Sequence, residues 1–471
     1  MGPSLPEVPA PAADAAPDLA VQVAALRAAF RSGRTRPLDA RREALRGLIR
    51  FLGDVGDAIV AAVREDLGRP AAETWASEVG LVRAEARHAL AHLADWTAPR
   101  PVEVPLLARP GRAWSEPEPL GVVLILGPWN YPFLLVLAPL VSALAAGDAA
   151  LVKPSELAPA SAALLAERLG RYVDGEVVRV VQGGPDVARG LLEHRFDHVF
   201  FTGGTTTGRT VARAVAEHLT PVTLELGGKS PALVDASADL GVAARRIAWG
   251  RFMNAGQTCV APDYVLVERR VEESFLEALK RAIGGLYGPD PRLSPDYGRI
   301  VSTRHLARLQ GLLEGHTPWL GGRSDPAARY LEPTVVRDPD PASPLMQEEI
   351  FGPVLPVIPV DTLQDAVAFV AERPEPLTVY LFTAHRAAEE AVRRGTRSGA
   401  FVVNDVVLHL AAPDLPFGGI GPSGMGRSHG RAGFETFSTW RSHLRRSTRF
   451  DLPVRYPPYS ERGTRWLKRL V

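Results

Sequence analysis

The stretch that decides the fold is GVVLILGPWNYPFLLVLAPLVSALAAGDAALVKPSE, residues 121–156. In it an apolar run, GVVLIL, is followed by turn residues, a helical pattern over 132–147 and a second apolar run, AALVK. The alternation continues through VVRVVQ, HVFFT and PVTLEL, which are separated by helical patterns over 157–169, 186–194 and 206–218. Short strands alternating with helices predict an α/β fold with a parallel sheet covered on both faces. Ligands of such sheets bind beyond the carboxyl ends of the strands.

The rest of the chain divides where the pattern changes. Residues before the sheet carry apolar side chains at helical spacing, and a proline-rich stretch then forms a connector or an edge strand. A second α/β unit follows the sheet, and the last region is rich in Gly, Pro and Arg. We therefore predict a mobile leader at 1–19, a first unit from 20–98 and 120–226, a second unit at 227–408, and a third element from 99–119 and 409–471.

Composition limits the class of protein. The chain has 471 residues, 46% apolar and 23% charged, with a formal net charge of +1, so it should fold as a globular protein of two or more structural units. A net charge this close to zero gives no strong positive potential that would attract a nucleic acid. A single cysteine excludes an intrachain disulfide and fits a reducing cytoplasm, and no Cys/His cluster has zinc spacing, so we expect no metal.

The apolar segments do not predict a signal or a membrane span. The Ala/Pro-rich start lacks the basic residues and the apolar run of a secretory signal. Gly and Pro interrupt the longest uncharged span, residues 120–147, whereas a membrane helix needs ~20 consecutive apolar residues. We expect no transmembrane segment.

The one cysteine, Cys259, lies in MNAGQTCVAPDYVLVE (253–268), where a helical pattern gives way to a strand pattern. A free cysteine is often a small buried hydrophobe, but it can also be a nucleophile. The local sequence leaves both interpretations open.

Two further motifs follow predicted sheet strands and suit a nucleotide. HVFFTGGTTTG (198–208) places glycines between a strand and a helix, which forms either a phosphate-binding loop or a tight turn. LVKPSE places Lys153 and Glu156 at a strand end, where a carboxylate can bind ribose hydroxyls, although acids favour helix starts in any case.

Three more motifs offer polar groups for catalysis or binding. Asn130 in GPWNYP is either an oxyanion donor or a turn residue. Glu225 in LELGGKSP lies in an apolar strand, where burial raises a carboxyl pKa and suits a general base; the alternative is a carboxylate held by backbone N–H groups. Glu349 and Phe351 lie in QEEIFGPVLPV, which is either a third segment of a functional site or a solvated helix end.

Taken together, the motifs resemble those of the aldehyde dehydrogenase superfamily over roughly residues 20–445. The shared stretches, in order, are PWNYP, KPSE, FTGGTTTG, LELGGKSP, NAGQTCVAPDY, EEIFGPVLPV and LPFGGIGPSGMGRSHG. VND at 403–405, His409, LPFGG and the later HG…FETFS are similar to the class 3 type. The resemblance implies a parallel-sheet dinucleotide-binding domain (the first unit), an α/β catalytic domain (the second) and a small bridging or oligomerisation element (the third).

The resemblance also implies an activity and roles for individual residues. The activity is oxidation of an aldehyde, medium-chain aliphatic or aromatic, to the carboxylic acid with NAD(P) by a homodimer. Cys259 matches the nucleophile that forms a thioester, Glu225 the general base and Asn130 the oxyanion donor. The positions that match the cofactor site are Trp129, Lys153, Glu156, Gly203, Gly204, Thr205, Thr206, Gly208, Glu349 and Phe351.

Some alternatives remain at this point. Glu156 favours NAD, with NADP possible, because a carboxylate repels a 2′-phosphate. A thiol-dependent esterase and a non-catalytic binding protein on the same fold are the competing functions. The basic tail from Arg441 onward is expected to be solvated or to contact a second subunit, with attachment to an anionic membrane surface as the alternative.

Overall fold

The computed structural model describes residues 18–470, so most of the predicted leader, residues 1–17, lies outside the described residues. The helices are α1 (Leu19–Arg31), α2 (Leu38–Asp54), α3 (Gly56–Leu67), α4 (Ala71–Thr74), α5 (Leu81–Trp96), α6 (Leu134–Ala146), α7 (Pro159–Arg168), α8 (Pro185–Leu192), α9 (Thr205–Ala216), α10 (Leu240–Phe252), α11 (Glu272–Tyr287), α12 (Thr303–Leu313), α13 (Pro344–Gln347), α14 (Leu363–Ala371), α15 (Arg386–Gly395), α16 (Gly430–Thr436) and α17 (Glu461–Leu470).

The strands form three larger sheets and one short pair. They are β1 (Arg100–Val102), β2 (Gly111–Pro119), β3 (Val122–Leu126), β4 (Ala149–Lys153), β5 (Val178–Val180), β6 (His198–Gly203), β7 (Val222–Leu226), β8 (Pro231–Val234), β9 (Tyr264–Glu268), β10 (Ser324–Asp325), β11 (Tyr330–Leu331), β12 (Thr334–Arg337), β13 (Val354–Val360), β14 (Thr378–Phe382), β15 (Ala400–Val403), β16 (Gly424–Met425) and β17 (Ser438–Arg446).

The first sheet confirms the βα alternation predicted from the sequence. The predicted strands are β3 to β7; they pair in parallel in the order β7-β6-β3-β4-β5, and α6 to α9 connect them. Every residue of β3 and β4 is buried, as expected for strands covered on both faces. Because β4 and β6 flank β3, the winding reverses between β3 and β6, and a crevice opens at their carboxyl ends.

The second sheet builds the other α/β unit. Its strands, in the order β12-β13-β9-β8-β14-β15, are all parallel, and β8, β9, β13 and β14 are buried along their whole length. Helices α10 and α11 pack against one another within this unit. The cysteine segment leads from α10 into β9, the central region of the sheet.

The third sheet joins distant parts of the chain. It is antiparallel, in the order β1-β2-β17, with β17 running along the whole of β2 from Ser438 opposite Pro119 to Arg446 opposite Gly111. The proline-rich stretch thus contributes the edge strand β1 and the start of β2. Among residues 18–470, no helix has the length and hydrophobicity needed to cross a membrane.

Candidate active site

The turn after α10 presents Cys259. Three successive residues there, Asn254, Ala255 and Gly256, adopt left-handed φ values of 48°, 51° and 75°. Asparagine and glycine tolerate this region, whereas Ala255 stores strain of about 1 kcal/mol. A Cβ at Gly256 would collide with the carbonyl oxygen of Gly352, so glycine is required for the close approach of these two segments. The Gly-Gln-Thr-Cys stretch therefore follows a tight reversal pressed against the 349–352 segment.

Asn130 lies in the loop after β3 and is bonded to the cysteine turn. Its side-chain Nδ2 donates to the carbonyl of Gln257 at 3.0 Å, and its own carbonyl accepts from Asn254 Nδ2, also at 3.0 Å. An amide group carries two N–H bonds, and this contact uses one of them.

The sequence interpretation missed the buried arginine beneath this loop. Arg69, fully buried, donates to the Asn130 carbonyl and, at 3.0 Å, to Asn254 Oδ1, and it pairs with Glu78 at 2.6 Å. Its position between α3 and α4 carries no motif, because the contact spans 61 residues of chain. A fully buried arginine needs such partners, and here they fix the main chain of Asn130.

Glu225 lies in β7, and its side chain is buried. Burial raises the pKa of this carboxyl to about 7, and the hydroxyl of Ser428, which donates to Oε1, opposes that increase. Thr202, which is paired with Glu225 across β6 and β7, also lowers this pKa, but less than Ser428 does. The Thr202 hydroxyl does not reach hydrogen-bond geometry. A carboxyl with this pKa exchanges protons near neutral pH.

Burial raises the pKa of the Cys259 thiol to about 12, and the carboxyls of Glu349 and Glu225 add to this effect. The backbone N–H groups of Cys259 and Val260 oppose it. With this environment the sulfur is a protonated thiol at neutral pH, so it must give its proton to a base when it attacks.

The predicted nucleotide residues lie at the carboxyl ends of β4 and β6. Lys153 Nζ donates to Glu156 Oε2 at 3.1 Å, with the lysine buried and the glutamate more exposed. Gly203 ends β6, Gly204 is the N-cap of α9 and makes no side-chain cap, and Thr205, Thr206 and Gly208 belong to the first turns of that helix. Helix N–H groups suit phosphate, and a lysine–glutamate pair suits ribose hydroxyls, so this donor set fits a dinucleotide.

The other predicted cofactor residues are Trp129, which follows β3, and Glu349 and Phe351, which precede β13. The Glu349 carboxyl packs on the backbone of Gly227 and Gly228, and burial raises its pKa to about 7. The Trp129 and Phe351 rings meet edge to face, with centroids 5.4 Å apart. His305, which the sequence interpretation missed, donates from Nε2 to the Phe351 carbonyl at 2.8 Å.

An apolar cavity of about 620 Å³ opens at Cys259. Its volume lies in the range of small-molecule sites. Tyr131 and Thr258 share a hydrogen bond of 2.7 Å beside the cysteine. Much of the wall is aliphatic or aromatic, for example Leu81, Leu134, Trp249, Met253, Leu286 and Phe417.

The structure joins several of the segments that carry the sequence-predicted residues: the loop after β3 contacts both the cysteine turn and Phe351, and the cysteine turn contacts Gly352. Asn130 is hydrogen-bonded to the turn that carries Cys259, and the carboxyls of Glu225 and Glu349 add to the rise in the Cys259 pKa. Of the remaining residues, Trp129 follows β3, Phe351 precedes β13, and the others lie at the carboxyl ends of β4 and β6. Within residues 18–470, no group of three or more metal-ligating side chains could hold a metal ion.

Comparisons with known proteins agree with this arrangement. The profile of the aldehyde dehydrogenase family matches residues 7–443. Aldehyde dehydrogenase family 3 member A2 of Mus musculus is 46% identical over 449 residues, which cover 95% of this chain and 93% of that protein. The dimeric NADP-preferring aldehyde dehydrogenase of Canis lupus familiaris is 44% identical over 93% of this chain and 97% of its own length. The substrate-bound structure of Staphylococcus aureus AldH superposes with a TM-score of 0.93 at 40% identity, covering 96% of this chain and 99% of that one.

Proposed function

The chain belongs to the aldehyde dehydrogenase family and oxidises aldehydes to carboxylic acids with NAD(P), and on this premise we propose that Cys259, Asn130 and Glu225 carry the chemistry. The sulfur of Cys259 adds to the aldehyde carbon, and its proton passes to a neighbouring base. The free N–H of Asn130 and the backbone N–H of Cys259 donate to the oxyanion that forms. One such donor typically contributes ~10²–10³ in rate.

Collapse of the oxyanion expels the hydride of that carbon and leaves the acyl group on Cys259 as a thioester, which water hydrolyses. Glu225 takes a proton from that water, and the sulfur leaves as the carboxylic acid forms. The pKa of about 7 supports this role, because the carboxylate form is populated at neutral pH and is still basic enough to accept a proton.

We assign the cofactor to the edge formed by the carboxyl ends of β4 and β6. Lys153 and Glu156 would hold the adenosine ribose, the start of α9 from Gly203 to Gly208 the pyrophosphate, and Trp129, Glu349 and Phe351 the nicotinamide half. When bound, NAD(P) accepts the hydride that the aldehyde carbon gives up. Arg308 donates to the main-chain carbonyl of Glu349, and His305 donates to that of Phe351. These bonds fix the main chain at both positions.

We propose apolar aldehydes, medium-chain aliphatic or aromatic, as the substrates. The supporting observation is that Cys259 opens onto a cavity walled mainly by aliphatic and aromatic side chains. Each methylene that such a wall buries contributes about 0.8 kcal/mol.

A series of straight-chain aldehydes tests the substrate class. We expect kcat/KM for NAD(P)H formation to rise about three- to fourfold with each added methylene until the cavity is filled. Benzaldehyde serves as the aromatic member, and glyceraldehyde as a short polar control. Equal or higher kcat/KM with glyceraldehyde would contradict the assignment.

The Glu156 carboxylate supports a preference for NAD, although the canine relative is named NADP-preferring. Replacing Glu156 with threonine removes the charge that would repel a 2′-phosphate. We expect the ratio of kcat/KM with NAD to that with NADP to fall about tenfold, measured by absorbance of the reduced cofactor. Glu167→Gln on α7 is a control of equal charge change, and a ratio that stays the same in Glu156→Thr would refute the assigned role.

We further propose a homodimer assembled through the third element, 99–119 with 409–471. Strand β17, nine residues long, lies at an edge of its sheet, and such an edge favours pairing with another strand. The name of the canine relative also describes a dimer. The domain boundaries given above and a cytoplasmic location remain proposals; the location is supported by a mechanism that needs the Cys259 thiol in its reduced form.

A further inference from the structure

We propose that Ser428 is a positioning residue that holds the general base: its hydroxyl fixes the Glu225 carboxyl and favours the ionised form needed to activate water. The inference rests on the proposed role of Glu225. It assigns a task to a segment, 424–429, that lies about 200 residues further along the chain.

The main chain of Ser428 is fixed on both sides. Its N–H donates to the Phe417 carbonyl at 2.7 Å, and its own carbonyl accepts from the Phe417 N–H at 3.0 Å. The preceding residue is fixed as well, because the Thr436 hydroxyl donates to the Arg427 carbonyl at 2.6 Å. Ser428 and Glu225 are each 5% exposed, so water competes little for the hydrogen bond between them.

The approach of this segment to β7 depends on a glycine. Strand β16 pairs with β7 in antiparallel fashion, with Gly424 opposite Glu225. Gly424 has φ 144°, and a Cβ there would collide with the carbonyl oxygen of Leu224. Glycine therefore lets the chain lie directly on the strand that carries the base, and Ser428 follows four residues later.

The hydroxyl makes a directed contact with the carboxyl. Ser428 Oγ donates to Glu225 Oε1, while the next acceptor, the Phe417 carbonyl, is 3.5 Å away. A hydrogen bond to the charged form of a carboxyl stabilises that form. With Oε1 engaged, Oε2 is the atom that would take the proton from water.

Titratable groups also lie on β6, which pairs with β7, and in the 424–429 segment, although besides burial only Ser428 and Thr202 act on the pKa of Glu225. His198 on β6 and His429 next to Ser428 have pKa values lowered to about 4 by burial, so both are neutral near pH 7. Burial raises the Cys259 pKa to about 12, which keeps this group protonated over the same range. Glu349, beside Gly227, titrates near 7 as Glu225 does, and a test must separate the two carboxyls.

The test compares wild type with Ser428→Ala between about pH 5 and 9. Two quantities are measured: the pre-steady-state burst of reduced cofactor, which reports acylation of Cys259, and the steady-state rate when hydrolysis of the thioester limits it. We expect an unchanged burst and an ascending limb of the steady-state rate displaced upward by about one pH unit. The loss would then be about tenfold on the acid side and small at alkaline pH.

Variants locate the effect at the hydroxyl and at Glu225. Ser428→Thr keeps a hydroxyl and should retain the wild-type limb. Ser428→Gly removes the hydroxyl without adding a bulkier side chain. Ser142→Ala, a buried serine on α6, controls for loss of a buried hydroxyl in general and should leave the limb in place. In a Glu225→Gln background, Ser428→Ala should have no further effect, which separates Glu225 from Glu349.

The outcomes distinguish the inference from the mechanism beneath it. If Glu225→Gln slows hydrolysis but both Ser428→Ala and Ser428→Gly retain the wild-type limb, the inference is wrong and the role of Glu225 stands. An equal loss at every pH, burst included, would make Ser428 structural only. If Glu225→Gln leaves hydrolysis unchanged, the role of Glu225 and the inference both fail.

Discussion

Replacing Cys259 with alanine is expected to abolish NAD(P)H formation with every aldehyde, a loss of about 10⁴-fold or more in kcat. The reason is that in the proposed mechanism the sulfur is the atom that binds the substrate carbon covalently, and no other thiol can take its place because the chain has one cysteine. The measurement is the rate of reduced-cofactor formation at saturating aldehyde.

A control must show that the alanine variant still binds its cofactor. Trp129 lies among the residues assigned to the nicotinamide half, so quenching of tryptophan fluorescence by NAD should persist in Cys259→Ala. A thiol reagent should incorporate one equivalent into wild type with parallel loss of activity and none into the variant. An active alanine variant, or a fully labelled wild type that keeps its activity, would contradict covalent catalysis by Cys259.

The fold was predictable where local patterns carry the information. The β3 to β7 segments are short apolar runs bounded by turn residues, and each became a strand with helices between, because a run buried on both faces needs no polar alternation. The short strand β16 was not predictable. Its two residues pair with β7 about 200 positions earlier, and glycine-rich sequence by itself predicts a loop.

The candidate site divides in the same way. Glu225 was predicted because a glutamate is unusual in a buried strand, and the roles of Cys259 and Asn130 were predicted from the resemblance of the motifs to a family. Arg69 and Ser428 were missed, although one fixes the main chain of Asn130 and the other bonds Glu225. Arginine and serine are common, and only the packing of distant segments turns these two into partners of the site. Residues that position the candidate catalytic groups can therefore be identified only from the three-dimensional structure.

Replacing Glu225 with glutamine is expected to leave acylation of Cys259 intact and to slow hydrolysis of the thioester by about 10²–10⁴-fold, the usual contribution of a general base. Glutamine keeps the shape of the side chain but cannot accept the proton of the attacking water. The variant should release one equivalent of reduced cofactor per active site in a burst and then turn over slowly. Acid quenching followed by mass spectrometry should reveal the acyl group on Cys259.

The pH dependence of the wild-type rate provides an independent test of the same mechanism. Because burial raises the pKa of Glu225 to about 7, the carboxylate that acts as base is scarce below that pH and predominates above it. When hydrolysis limits turnover, the rate should thus rise about tenfold per pH unit on the acid side and level off above about 7, and this limb should vanish in Glu225→Gln. The control is Glu272→Gln. Glu272 is a buried glutamate that begins α11 and pairs with Arg337 at 2.8 Å, and its replacement should retain the limb. A Glu225→Gln enzyme without a burst, or with the ascending limb unchanged, would assign the proton transfer to another group, and Glu349, whose pKa is also near 7, would be the next to test.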